Sequence, residues 1–175
     1  MTTFDATGER VALRRPAAAD TEEFTALMRD SREFHFPWID PPKTAEQYEA
    51  YLRSRQAPGD DGFLICARQT NAIVGFINLN SIVRRSFQSA YLGYAVGARY
   101  ARQGMMAEAM SLLTSYAFDV MKLHRLEANI QPENRSSLAL VQRCGFRREG
   151  LSPRYLQVFG QWRDHERWAL LADQT

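Results

Sequence analysis

Tyr94-Ala95-Val96-Gly97-Ala98-Arg99-Tyr100-Ala101-Arg102-Gln103-Gly104-Met105-Met106-Ala107-Glu108 is the stretch whose reading decides the fold. Residues 90–96 alternate as a strand does. From Met105 the period changes, because Ala109, Leu112, Leu113, Tyr116, Ala117 and Val120 recur at helical spacing as far as Met121. Strand therefore gives way to helix at Gly104. A helix N-terminus offers backbone N–H groups without intrahelical partners and about half a unit of positive charge. A glycine there lets the backbone close on a pyrophosphate. Gly104 is the expected contact. Arg99 and Arg102 flank the turn, either as phosphate partners or as a solvated basic turn.

On the N-terminal side, residues 11–15 alternate as a strand ending at Pro16, and Asp20 is placed to cap a helix carrying Phe24, Leu27 and Met28. Residues 31–43 hold Phe34, His35, Phe36 and Trp38 among Pro37, Pro41 and Pro42, which forbids a regular helix and predicts an aromatic loop. Thr44 caps a second helix to about Gln56. Residues 63–68, 73–83 and 90–96 read as three antiparallel strands. Beyond the helix at Met105, residues 124–131 form a strand broken by Pro132, and Asn134 opens a helix closed by Gly145. Two or three strands finish the chain, over residues 146–149, 154–159 and 166–171. The order β-α-α-β-β-β-α-β-α-β-β is an α/β arrangement with one mixed sheet.

Bulk properties exclude several classes. With 175 residues, 45% hydrophobic and 24% charged, the chain suits one globular domain with a sizeable core. A formal charge of +2 from 22 basic and 20 acidic residues gives no strong pull toward nucleic acid. The two cysteines, Cys66 and Cys144, lack the spacing of a disulfide framework or a zinc site and read as reduced structural thiols. No stretch approaches the ~18 apolar residues of a membrane helix, and residues 1–15 carry no secretory signal. The expectation is a cytoplasmic protein with no metal, no membrane partner and no specific nucleic acid.

A second phosphate-side element sits at Asn134 and Ser137, which open the helix after the 124–131 strand. Asn134 can cap that helix, and both side chains can face the cleft that begins at Gly104. Three segments then carry a family resemblance: residues 91–110, Asn134-Arg135-Ser136-Ser137 ahead of Cys144-Gly145-Phe146, and Glu149-Gly150 followed by Gly160-Gln161-Trp162-Arg163-Asp164-His165. Together they resemble the GCN5-related N-acetyltransferases (GNAT), and more narrowly the RimJ-like branch that acts on ribosomal-protein alanine N-termini.

The resemblance implies a single GNAT-type domain over residues 1–175, with a mixed, mostly antiparallel splayed sheet flanked by helices. It implies that acetyl-CoA lies in the wedge between the strand ending at Val96 and the 124–131 strand. Pantetheine would pair with main-chain groups of Tyr94, Ala95 and Val96. The pyrophosphate would sit on amides of Gln103, Gly104, Met105, Met106 and Ala107, with Arg102 beside it. Asn134 and Ser137 would meet the pantetheine arm, and the Val96 N–H would act as oxyanion donor. The family's phosphate motif opens with Arg or Gln and carries Gly or Ala two residues past its central glycine; here Ala101 and Met106 stand at those places. Backbone amides do the gripping, so Ala101 costs little.

The acid and base positions depart further. Asn129 stands where related enzymes carry a base glutamate, and Val141 where many carry a tyrosine acid. Water held by Asn129 is the expected proton relay, with Glu127, Glu149, Asp164 and His165 as other reachable groups. The Asp164-His165 pair and His35 and His124 read more simply as structural. Phe36, Trp38 and Tyr91 are the expected acceptor contacts, with Tyr91 and Tyr94 taken to share one strand face. The resemblance implies transfer of an acetyl group to a primary amine. The protein N-terminus, possibly of a ribosomal protein, leads; a small amine such as an amino acid, polyamine or antibiotic is the alternative. A non-catalytic module docking through Arg14, Arg15, Arg53, Arg55, Arg84 and Arg85 is a third reading.

Overall fold

Residues 61–67 and 73–79 are almost continuously apolar, the signature of strands covered on both faces. In the structure, a computed structural model describing residues 4–174, they form the centre of an eight-stranded sheet. The strands are β1 (Ala6–Thr7), β2 (Val11–Arg14), β3 (Asp61–Ala67), β4 (Ile73–Val83), β5 (Ser89–Val96), β6 (Arg125–Ile130), β7 (Arg147–Val158) and β8 (Gln161–Leu171). Their spatial order is β1-β2-β3-β4-β5-β6-β8-β7. Every neighbouring pair is antiparallel except β5–β6.

Helices cover both faces. Those between β2 and β3 are α1 (Thr21–Asp30), α2 (Arg32–His35) and α3 (Ala45–Arg55); α4 (Met105–Ser115) follows β5 and α5 (Arg135–Arg143) follows β6. The period of two sorts β3 cleanly. Phe63 and Ile65 join Met106, Met110 and Leu113 of α4 in one core, while Leu64 and Cys66 join Phe24, Met28, Tyr48 and Tyr51 of α1 and α3 in the other. Burial on both sides makes this sheet a rigid base for whatever its edges hold.

The sheet parts in its middle. β5 and β6 pair only through Ser89↔Arg125, Ala90↔Leu126 and Tyr91↔Glu127. Beyond that point β5 stays with β4 as far as Gly75↔Val96, and β6 stays with β8 as far as Ile130↔Glu166. Gly75 holds β5 to β4: a Cβ there would meet the Ala95 carbonyl oxygen at 2.2 Å and Val96 Cα at 2.9 Å. The Gly97 N–H extends the same ladder by donating to the Val74 carbonyl at 2.8 Å.

Several sequence expectations need correction. The aromatic segment is not free of helix, since Arg32–His35 form one turn ahead of Pro37. Asp20 makes no side-chain cap; its carboxylate is taken by Arg14 at 2.7 and 2.8 Å and by the Ala17 N–H at 2.8 Å. The helix from Met105 gives way to a π turn at Tyr116–Val120. The tail is one long hairpin, because Phe159 (φ 49) and Gly160 (φ 74) form a two-residue turn between Val158 and Gln161. Pro153 is tolerated inside β7 at the irregularity between Ser152 and Leu156, where the ladder needs no proline N–H. The capping box of Thr44 and Gln47 and the stop at Gly145 (φ 88) are as expected.

Gly75→Ala is predicted to destabilise the protein by about 1–3 kcal/mol, the usual range for overpacking, because its methyl meets backbone that cannot step aside. A lowered urea midpoint with unchanged m-value is the expected reading.

Candidate active site

The open end of the splay is lined by main chain. In an antiparallel ladder hydrogen-bonded and non-hydrogen-bonded pairs alternate. With the Gly97 N–H bonded to Val74, Val96↔Gly75 and Tyr94↔Ile77 are the non-bonded pairs, so Val96 and Tyr94 turn their N–H and C=O groups away from β4. β6, which would have received them, has already diverged. Apart from the Val96 carbonyl, which His35 takes, these donors and acceptors lack a strand partner along one edge, ready for an extended amide-bearing ligand.

The cleft beyond them has a volume of about 340 Å³. Of the donor-side residues singled out from the sequence, Tyr94, Ala95, Val96, Arg102, Gly104, Met105, Met106, Ala107, Asn134 and Ser137 all line it. At its mouth Gly104 takes φ 79, the left-handed region, and caps α4 without any side-chain bond. The first amides of α4 are thus left without intrahelical or side-chain partners and face the cleft. Gln103 does not line the cleft. Its side chain donates to the Arg99 carbonyl at 2.8 Å, and its carbonyl accepts from Arg10 Nη1 at 2.8 Å. Arg99 is also turned aside, its guanidinium 4.9 Å from the Tyr100 ring centre.

Asn134 caps α5 as its position predicts, its side-chain oxygen accepting from the Ser137 N–H at 3.2 Å. The Ser137 hydroxyl lies 2.6 Å from the Tyr94 hydroxyl, which bridges β5 to α5 across the cleft. Burial raises the Tyr94 pKa well above that of an ordinary tyrosine, so this phenol stays protonated.

Tyr94 and Tyr91 do not share a face. Three residues apart on a strand of period two, they point to opposite sides. Tyr91 does not line the cleft. Phe36 is also outside it: the ring is 60% exposed and packs edge-on against Phe159 at 5.1 Å, on the outer rim. Trp38 does line the cleft, with Phe34, His35 and Ile39, and Gln131 Nε2 holds the Trp38 carbonyl at 3.3 Å.

His35, which the sequence reading left as structural, is the unforeseen member. Its Nε2 donates to the outward-facing Val96 carbonyl at 2.9 Å, and burial lowers its pKa below the ordinary histidine value, so the ring is neutral. Its Nδ1 is buried without a partner, as is Asn129 Oδ1. His165 also lines the wall. The other reachable acids are committed: Arg125 pairs with Glu127 at 2.7 Å and with Glu149, and Asp164 accepts from the Arg154 N–H at 2.8 Å. Val141 is fully buried in the core.

The geometry describes an edge for an amide chain, a helix start for phosphate and a polar inner end. Comparison with known proteins gives these parts a family. The acetyltransferase (GNAT) domain profile matches residues 10–147. YjcK of Bacillus subtilis (strain 168), named as a probable N-acetyltransferase, is 30% identical over 94% of this chain and 95% of its own. The [ribosomal protein uS5]-alanine N-acetyltransferase of Escherichia coli (strain K12) is 41% identical over 56% of this chain and 50% of its own length. The structure of Mycobacterium smegmatis RimJ in complex with CoA-disulfide superposes with a TM-score of 0.85 at 27% identity, over 93% of this chain and 82% of that one. This chain belongs to the GNAT acetyltransferase family and is an acetyl-CoA-dependent N-acetyltransferase. Among the described residues no helix is long and apolar enough to cross a membrane, and no cluster of three His, Cys, Asp or Glu could hold a metal.

Gly104→Glu is predicted to weaken CoA binding by more than about 100-fold, measured by titration calorimetry. The left-handed backbone disfavours any Cβ by about 1–2 kcal/mol, and the carboxylate would repel phosphate. Gly104→Ala isolates the backbone effect and is expected to lose only about tenfold. Wild-type affinity in the Glu variant would refute the phosphate assignment.

Proposed function

We propose that this enzyme acetylates the α-amine at the N-terminus of a peptide or protein, a ribosomal protein being the class its RimJ-like relatives point to. The observation that carries the reading is the chemistry of the cleft's acceptor end. It is walled by Phe34, Trp38, Ile39, Gln131, Asn129 and the two histidines, and none of the described residues lining the cleft is a carboxylate.

That wall discriminates between amines. A polyamine arrives with further ammonium groups, and without carboxylates they would be desolvated with no compensation. A lysine amine of pKa ~10.4 must be given up to deprotonation at a cost of about 4.6 kcal/mol at pH 7, whereas an α-amine near 7.7–8.0 costs about 1 kcal/mol. A neutral, apolar-walled pocket does nothing to raise either pKa, so the α-amine is the acceptor it suits. Trp38 and Phe34 provide apolar surface for the first side chain of a peptide.

In this reading the α4 amides at Met105, Met106 and Ala107, with Gly104 and Arg102, take the phosphates of acetyl-CoA. The Tyr94 and Val96 main chain pairs with the pantetheine amides beside Asn134 and Ser137. The Val96 N–H, aimed outward by its ladder position, stabilises the charge that develops on the thioester oxygen. The amine attacks directly, with no covalent enzyme intermediate, since burial raises the pKa of both Cys66 and Cys144 and leaves them as thiols. Four of the six arginines that a ribosome-docking module without catalysis would present are paired locally. Arg14 pairs with Asp20, Arg15 with Asp5 and Asp61, Arg53 with Glu49, and Arg55 with Asp60.

Thiol release from acetyl-CoA is the test. Peptides with free Ala or Ser N-termini are expected to be turned over at least tenfold faster than N-blocked lysine peptides or spermidine. Preference for spermidine would replace the acceptor assignment.

A further inference from the structure

Acetylation of an α-amine requires a group to take the amine's proton, and the place of a base carboxylate is held by Asn129, whose amide has no basic atom. β8 supplies one. His165 is 3% exposed and lines the same cleft as Asn129 and Val96. Directly opposed strand residues share a face, so Arg167, opposite Asn129, lies on Asn129's side of the sheet. His165, two residues away, lies there too.

The ring's state follows from its hydrogen bond. Nδ1 is 3.0 Å from the Arg163 carbonyl oxygen, and a carbonyl can only accept. Nδ1 therefore carries the hydrogen, and Nε2 of the neutral ring keeps its lone pair. Nε2 bonds to no described residue and is not among the unpartnered side-chain atoms sealed from solvent, and the residue lines the cleft. Asn129 Oδ1, by contrast, is sealed and unpartnered, an acceptor with nothing to accept until a donor enters. A base oriented through its other nitrogen, beside a vacant acceptor, is the arrangement that proton transfer from a bound amine requires.

We infer that His165 Nε2 takes the proton from the attacking amine while Asn129 Oδ1 holds that amine by one of its N–H bonds. The inference rests on the acetyl-transfer reading above. The acceptor arrives as R–NH3+; His165 takes one proton and passes it to water. The free amine forms the N–C bond, the C–S bond breaks with its electron pair on sulfur, and the surplus proton on nitrogen goes to the thiolate. The sum is R–NH3+ plus acetyl-S-CoA giving R–NH-acetyl, HS-CoA and H+.

Groups around His165 set its titration. Burial opposes its protonation more strongly than the Arg163 carbonyl and then Asp164 on its own strand favour it, so the net shift is below the ordinary value of 6.5. β7 contributes Tyr155, with ring centres 6.3 Å apart, and β6 contributes the neutral Asn129, with the neutral Gln131 just past its end. Arg167 lies on the same face of β8, and His35 shares the cleft wall. Protonated below its pKa, His165 cannot accept, so activity is lost as pH falls through a value under 6.5.

The experiment compares wild type with His165→Asn, whose amide N–H can still donate to the Arg163 carbonyl, and with His165→Gln as an independent second variant. Expected for both are a kcat lower by about 100-fold or more, CoA affinity within twofold of wild type, and loss of the acid limb below pH 6.5 in kcat/KM. Added imidazole is expected to restore part of the rate to His165→Ala. Variants within threefold of wild-type kcat that keep the acid limb would overturn the role of His165 and leave the acetyltransferase reading standing. A wild-type enzyme that transfers acetyl to no amine would remove both.

Discussion

The structure depends on a ladder that stops. β5 and β6 exchange contacts over Ser89 to Tyr91 and then separate, because β5 is held to β4 at the glycine approach of Gly75 and β6 is held to β8. Buried backbone N–H and C=O groups are costly to leave unpaired. The gap is therefore a demand as much as a space: the outward groups of Tyr94 and Val96 need partners that β6 does not supply. His35 meets part of it at the Val96 carbonyl. A pantetheine chain, with amides along its length, is suited to meet the rest.

From that gap the division of labour follows. The mouth ends on the start of α4, where partial positive charge costs the protein nothing further. The floor is fixed by the Tyr94–Ser137 bridge and the cap at Asn134, which tie β5 and α5 into one wall. The inner end is the reverse of the mouth in character. It is buried, carries no described carboxylate and presents acceptors in neutral groups. Such a site receives an amine's N–H bonds without a carboxylate to hold its positive charge, which keeps deprotonation accessible at neutral pH.

Local chemistry was legible in the sequence where the signal is local. Gly104 as the strand-to-helix junction, Thr44 and Asn134 as caps, and Gly145 as a stop each depend on the conformational needs of neighbouring residues, and each stands where the pattern puts it. Strand β4 was legible for the same reason. The tail was not, because Phe159-Gly160 lacks the Asn-Gly or Asp-Gly signature of a two-residue turn, and Pro153 reads as a breaker until its place at a ladder irregularity is seen. Phe36 is misleading in a different way, since an exposed aromatic in the right loop can face outward as readily as inward. Tyr91 was misplaced by strand parity, which its number alone settles. His35 carries no sequence signal of its own, and His165 reads from the sequence only as one of several reachable groups. One meets its partner 61 positions along the chain, and the other gains meaning only when β8 returns beside β6.

The central claim is that the unpaired edge of β5 and the start of α4 together receive acetyl-CoA. Amide-resolved NMR titration of the protein with CoA tests it most directly. The account predicts that the largest shifts fall on the amides of Tyr94, Val96 and residues 104–107, with slowed exchange at Val96. Shifts confined to the β7–β8 hairpin, or spread without preference for β5 and α4, would contradict it.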